Sequence, residues 1–123
     1  MLTGRLLAES LRIGIDLTVP DLRVVRLGRH DVAAGASDTQ PPVWTFLDFE
    51  APDERADDLA RALAAALDTR TGWYADFCVG DDHVVVFANR VFRYRIGDRR
   101  ARDEAVAWGR AAGTPEHQLD WGD

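Results

Sequence analysis

WYADFCVGDDHVVVFANRVFRYRI, residues 73 to 96, decides the fold. Three β-prone runs are separated by Gly80-Asp81-Asp82 and by Asn89-Arg90, and glycine and asparagine tolerate the left-handed backbone that tight hairpin turns require. Strands joined this closely run antiparallel, because a parallel crossover needs a dozen or more residues. The stretch therefore reads as a three-stranded meander. Along its first strand, alternation sends Trp73, Ala75, Phe77 and Val79 to one face and Tyr74, Asp76 and Cys78 to the other. The first set reads as core and the second as a polar, partly aromatic face.

On the C-terminal side, Gly97-Asp98 ends the meander and Asp98 is placed to cap RRARDEAVAWGRAAG, a helix closed by Gly113 with Pro115 beyond it. Its apolar face is Ala101, Ala105, Val106, Trp108, Gly109 and Ala112, small enough for close packing on a sheet. In the tail PEHQLDWGD, Leu119 and Trp121 are expected to dock back onto the body.

On the N-terminal side, APDERADDLARALAAALDTR repeats Ala56, Leu59, Ala60, Leu63, Ala64 and Leu67 at helical spacing. Asp53 is positioned to cap it, and Glu54, Asp57 and Asp58 favour the positive end of its dipole. VWTFLDFE before it reads as a strand, and residues 31–42 as a mobile loop or lid. LRVVRLGRH reads as a further strand whose alternation breaks at Val24-Val25, either as a bulge or by burial on both faces. Leu11, Ile13, Ile15, Leu17 and Val19 alternate with polar residues as in a strand with one buried side, which Pro20-Asp21 would turn into the next. The predicted order is β-β-β-α-β-β-β-α, and the expected fold is a single α+β domain over 1–123, a mainly antiparallel sheet with two helices packed on one face.

Composition narrows the chemistry. With 123 residues, 46% hydrophobic and 29% charged, the chain suits one soluble folded domain. All fifteen strongly basic residues are arginine, so lysine Schiff-base catalysis and a P-loop are excluded. A formal charge of −6 disfavours nucleic acid and anionic membranes as partners. No run is long enough to span a bilayer, the first residues lack the pattern of a secretory leader, and a single cysteine suits a reducing compartment. The expected location is the cytoplasm.

Several groups invite a chemical reading. Tyr74 and Asp76 could floor a small-ligand site, although a cross-strand ion pair of Asp76 with Arg93 or Arg95 on a wet face explains them more simply. Cys78 would need His83, five residues on across the hairpin, as a base, and a small apolar filler is the commoner use of such a thiol. Asp48, Glu50, Asp53, Glu54, Asp57 and Asp58 cluster in sequence, yet capping and dipole chemistry account for most of them, and neither metal nor cofactor is expected.

Arg90, Arg93, Arg95, Arg99, Arg100 and Arg102 form the one basic island, suited to an anionic ligand or to pairing with the chain's own acids. Phe92 and Tyr94 alternate with these arginines but lack the glycine–aromatic order of an RNA-recognition strand. No nucleophile elbow, dinucleotide fingerprint or zinc-protease motif is present.

The leading expectation is a small binding or accessory module, homo-oligomeric, that engages a partner protein or small anionic ligand through Tyr74, Asp76, Arg93, Arg95 and Arg99. A second is a small lyase, isomerase or cyclase with Asp76 or His83 as acid–base group under the 31–42 loop and Tyr74 orienting the substrate. A third is an acidic protein inhibitor directed at a basic site.

Overall fold

The computed structural model describes residues 1–122, which form six strands and two α-helices. The strands are β1 (Leu2–Leu7), β2 (Arg23–Asp31), β3 (Val43–Ala51), β4 (Tyr74–Val79), β5 (Asp82–Phe87) and β6 (Arg90–Arg95), and the helices are α1 (Ala56–Ala66) and α2 (Arg99–Ala112). All strands join one antiparallel sheet in the order β2-β3-β1-β4-β5-β6, so the α+β class and the predicted succession of elements hold. The meander is as expected. Val79 pairs with Asp82 and Phe87 with Arg90, leaving two-residue turns in which Gly80 and Asn89 take φ of 55° and 63°.

The first strand is not where alternation placed it. Residues 11–22 form no ladder beyond a single bridge from Leu11 to Leu67, and Gly14, at φ 90°, breaks the extended run. This segment instead runs beside α1. Near its start the Arg12 N–H donates to the Ala66 carbonyl at 2.8 Å, and near its end Arg55 binds Asp21 at 3.2 Å. Leu11, Leu17 and Val19 do point into the core, whereas Ile13 is fully exposed. The alternation thus reports one-sided burial correctly, but the buried side belongs to an extended connection. Pro20-Asp21 is a turn as expected, and it delivers the chain into β2, where a slip between Val24 and Arg26 marks the bulge.

The strand that completes the sheet is Leu2–Leu7, antiparallel to β3 on one side and β4 on the other. Leu2 and Leu6 face the core, and Gly4 between them lets Phe49 and Phe77 close over the strand with ring centroids 6.4 Å apart.

The helices lie on opposite faces of the sheet, which corrects the expectation of both on one. Leu59 and Leu63 of α1 pack with Phe49, Phe77, Val84 and Val86, each fully buried leucine contributing about 2 kcal/mol. Ala105 of α2 packs with Val85, Phe87 and Tyr94 on the other side. The reason lies in β5: its Val84-Val85-Val86-Phe87 run is apolar on both faces, and both therefore need cover.

The helix starts also differ from each other. Asp98 caps α2 as expected, its Oδ1 accepting from the Ala101 N–H at 3.1 Å. Asp53 does not cap α1. A 3-10 turn over Asp53–Arg55 precedes that helix, and the Asp53 carboxylate pairs instead with the Met1 amino group at 3.0 Å.

Past α1, the Asp68 N–H donates to the Ser10 carbonyl, tying the chain reversal to the end of β1's connection. The Asp68 carboxylate accepts from the Arg70 guanidinium at 2.7 and 3.0 Å and from the Arg70 backbone N–H, which holds its pKa at about 2. Its contribution to stability is therefore complete above the ordinary carboxylate pKa of 3.8 and is lost as pH falls through about 2. Carboxyl NMR titration is expected to place Asp68 near that value, and in Arg70→Ala to move it up toward 3.8. An unchanged midpoint in the variant would disprove the guanidinium's role.

A methyl group on Gly4 would land on the Asp76 carbonyl oxygen and 2.5 Å from the Phe77 Cβ. Gly4→Ala is expected to destabilise the fold by about 1–3 kcal/mol in denaturant titration, the usual cost of overpacking.

Candidate functional site

On the sheet face opposite α1, parity aligns Arg5 and Leu7 of β1, Trp44, Phe46 and Asp48 of β3, and Tyr74, Asp76 and Cys78 of β4. α2 covers only the β5–β6 end of this face. Over the remainder stand two rims, the loop after β2 and the C-terminal tail. The cleft between them has a volume of about 450 Å³, with Arg5, Phe46, Tyr74 and Asp76 on its floor and Trp44, Trp73 and Trp121 in its walls.

The rims are joined to each other. Gln40 and Gln118 exchange amide hydrogen bonds at 3.0 and 2.8 Å, and the Gly35 carbonyl accepts from His117 Nε2 at 2.6 Å and from Gln118 Nε2 at 2.9 Å. Gln40 is itself buried, and its side-chain oxygen also accepts from the Ser37 N–H. The loop expected to be a mobile lid is thus pinned at two points.

The tail is pinned in turn to the sheet. The Tyr74 hydroxyl donates to the Gln118 carbonyl at 2.6 Å, the Trp121 indole N–H donates to the Tyr94 hydroxyl at 2.8 Å, and Trp121 packs edge-on against Tyr74 at 5.1 Å. Leu119 and Trp121 dock as the sequence suggested. Burial, together with the nearby Asp76 and Asp120 charges, raises the Tyr74 pKa well above its usual value, so the phenol stays protonated.

Tyr74 and Asp76 therefore do share a site. Arg93 and Arg95 do not join them, because β6 alternation sends both to the α1 side of the sheet: Arg93 pairs with Asp82 at 2.9 Å and Asp57 at 3.6 Å, and Arg95 with Asp81 at 3.5 Å. Arg99 is exposed at the first residue of α2, away from both. The expected Asp76–arginine pair is replaced by a hydrogen bond from His83, whose Nε2 lies 2.8 Å from Asp76 Oδ2. His83 is buried, and its Nδ1 has no partner among the described residues.

Arg5, which the sequence reading passed over, lies beside Asp76 in register and is clamped by Asp48 at 2.7 and 3.3 Å; that hydrogen-bonded pairing raises the guanidinium pKa and lowers the carboxyl. Phe46, Gln118 and Asp120 were likewise unsignalled. The parity of VWTFLDFE could have grouped Trp44 with Phe46, but nothing in the tail's composition shows that it closes a cleft.

Cys78 is directly opposite His83 in register, as thiol catalysis would require. The imidazole, however, is turned to Asp76, and partial burial and the Asp76 charge push the Cys78 pKa up. Such a thiol stays protonated at neutral pH and is a poor nucleophile. Among the described residues no group of three or more metal-ligating side chains forms, and no helix is long and apolar enough to cross a membrane. In Asp76→Asn, alkylation of Cys78 by iodoacetamide at mildly alkaline pH is expected to accelerate severalfold; an unchanged rate would show that the carboxylate does not act on the sulfur.

No protein-family model, no curated protein and no solved structure matches this chain, so the chemistry of the cleft carries the functional argument.

Proposed function

We propose that this chain is a binding protein for a small organic ligand, held between the open half of the sheet and the joined rims of loop 32–42 and tail 115–121. The observation that carries the reading is the cleft itself: about 450 Å³, walled by aromatic rings, with a few charged groups at its floor. Small-molecule sites have this volume and this mixture, an apolar lining for affinity and a few placed polar atoms for orientation. Hydrogen bonds from both rims hold it preformed, which lowers the ordering cost of binding.

The arginine corner supports the partner-protein reading less well. Arg93 and Arg95 are engaged with the chain's own acids, and Arg90 stacks over Phe92 and Trp108 at 4.6 and 5.2 Å.

A second reading, an acid–base enzyme, is favoured by one observation, the Asp76–His83 hydrogen bond at the cleft floor. A carboxylate held through one oxygen by a buried imidazole leaves its other oxygen to take a proton from a substrate. Tyr74 would orient that substrate only, since its raised pKa keeps it from acting as a base.

The test uses Gly35, where an added Cβ meets only the Val32 carbonyl oxygen at 3.8 Å. Gly35→Trp is expected to fold normally and to obstruct the cleft. In ligand-observed NMR against a fragment library, hits on the native chain should perturb the indole signals of Trp44, Trp73 and Trp121 and be lost in the variant. Hits that persist in Gly35→Trp, or that map elsewhere, would overturn the proposal.

A further inference from the structure

Resting on the ligand reading above, we infer that the cleft selects an organic cation, an amine or quaternary ammonium carried on an apolar or aromatic body. The charges at the floor differ in whether they already have a partner. Arg5 is the cation lining the floor, and its guanidinium is satisfied by Asp48 through two nitrogens. Asp76 and Asp120 line the same cleft, and among the described residues neither forms an ion pair with an arginine. These two carboxylates are thus the floor's charges that lack an arginine ion-pair partner, with Arg5 beside Asp76 in register and Arg102 near Tyr74 as the neighbouring cations.

His83 bears on one of these carboxylates. Its ring is 3% exposed and its Nδ1 is unpartnered among the described residues, so a protonated ring would bury a charged N–H with nothing to accept it. With its proton on Nε2 the ring donates to Asp76. One oxygen of Asp76 is taken up in this way, and the other is uncommitted among the described residues. Burial is the main cause that raises the Tyr74 pKa; Asp76 and Asp120 act in the same direction, with Arg102 opposing them.

The walls suit the same occupant. Trp44 and Trp73 meet edge-on at 5.5 Å, and Tyr74 and Trp121 at 5.1 Å, so two aromatic pairs border the floor; Arg102 already lies over the Trp121 ring at 5.5 Å, which leaves Trp44, Trp73 and Tyr74 to meet an occupant. Ring faces attract cations, most strongly where water is excluded, and aromatic enclosures of this kind bind quaternary ammonium groups. An anionic ligand would instead have to draw Arg5 from Asp48 while facing two carboxylates that no arginine pairs.

The experiment titrates the full chain with four probes of similar shape, phenethylamine, phenethyltrimethylammonium, phenylethanol and phenylpropionate, followed by tryptophan emission and by amide and indole NMR shifts. Both cations are expected to bind at least about tenfold more tightly than the alcohol, the scale of one charge-assisted contact, and the carboxylate most weakly. Asp76→Asn and Asp120→Asn should each reduce cation affinity about tenfold while leaving the alcohol unchanged. Asp120 is exposed, so the second variant stays informative if the first perturbs folding.

Equal or tighter binding of the alcohol or carboxylate at the cleft would overturn the cation inference and leave the ligand-binding reading standing. Absence of any cleft shift with all four probes at millimolar concentration, together with fragment hits that lie elsewhere, would remove both. Cation binding unaffected by either carboxylate variant would likewise overturn the inference.

Discussion

Backbone hydrogen bonding along both edges of Leu2–Leu7 joins two halves that share no other ladder among the described residues. On one side stands the β2–β3 hairpin and on the other the β4–β5–β6 meander, and the order β2-β3-β1-β4-β5-β6 leaves β1 as the sole seam. Without it each half would be a two- or three-stranded fragment with one exposed apolar face, and small sheets of that kind are marginal in water. The seam must also be thin. Gly4 allows Phe49 and Phe77 to meet across it, so the same residue serves the ladder and the core.

From that seam the two faces diverge. Leu2 and Leu6 point toward α1, while Thr3 and Arg5 point away into a region that α2 does not reach. α2 packs on β5 and β6, against the apolar cluster of Val85, Phe87, Phe92 and Tyr94. Beyond them the face turns polar with Asp76, Arg5 and Asp48, and only a loop and a tail remain to cover it. The cleft is thus a consequence of where hydrophobic cover stops along the sheet.

The meander was legible because its information is local: Gly80 and Asn89 specify turns, and two-residue turns dictate register. That register alone brings Cys78 opposite His83 and places Asp76 within reach of the same imidazole. The β1 assignment was not legible, because LTGRLL is short and interrupted by glycine, whereas LRIGIDLTV shows stronger alternation. Alternation marks one-sided burial, and an extended segment beside a helix satisfies it as well as a strand does. Placement of α2 could have been deduced from the two-sided apolarity of HVVVFA. The rims could not, since Gln40 and Gln118 are 78 residues apart and neither amide differs in sequence from a solvated one.

Charge reads differently once parity is known. In sequence, Arg93 and Arg95 are the nearest cations to Asp76, and the simplest arrangement pairs them. One residue of phase on β6 sends them through the sheet to Asp82 and Asp81, and the Asp76 position is taken by a buried histidine that cannot neutralise it without burying a proton that lacks an acceptor. Internal pairing therefore takes up Arg93 and Arg95 of the basic island, while Asp76 on the opposite face has no arginine partner among the described residues. The exposed arginines dominate the sequence, but the half-covered acid next to four aromatic rings has the greater unmet demand for a partner.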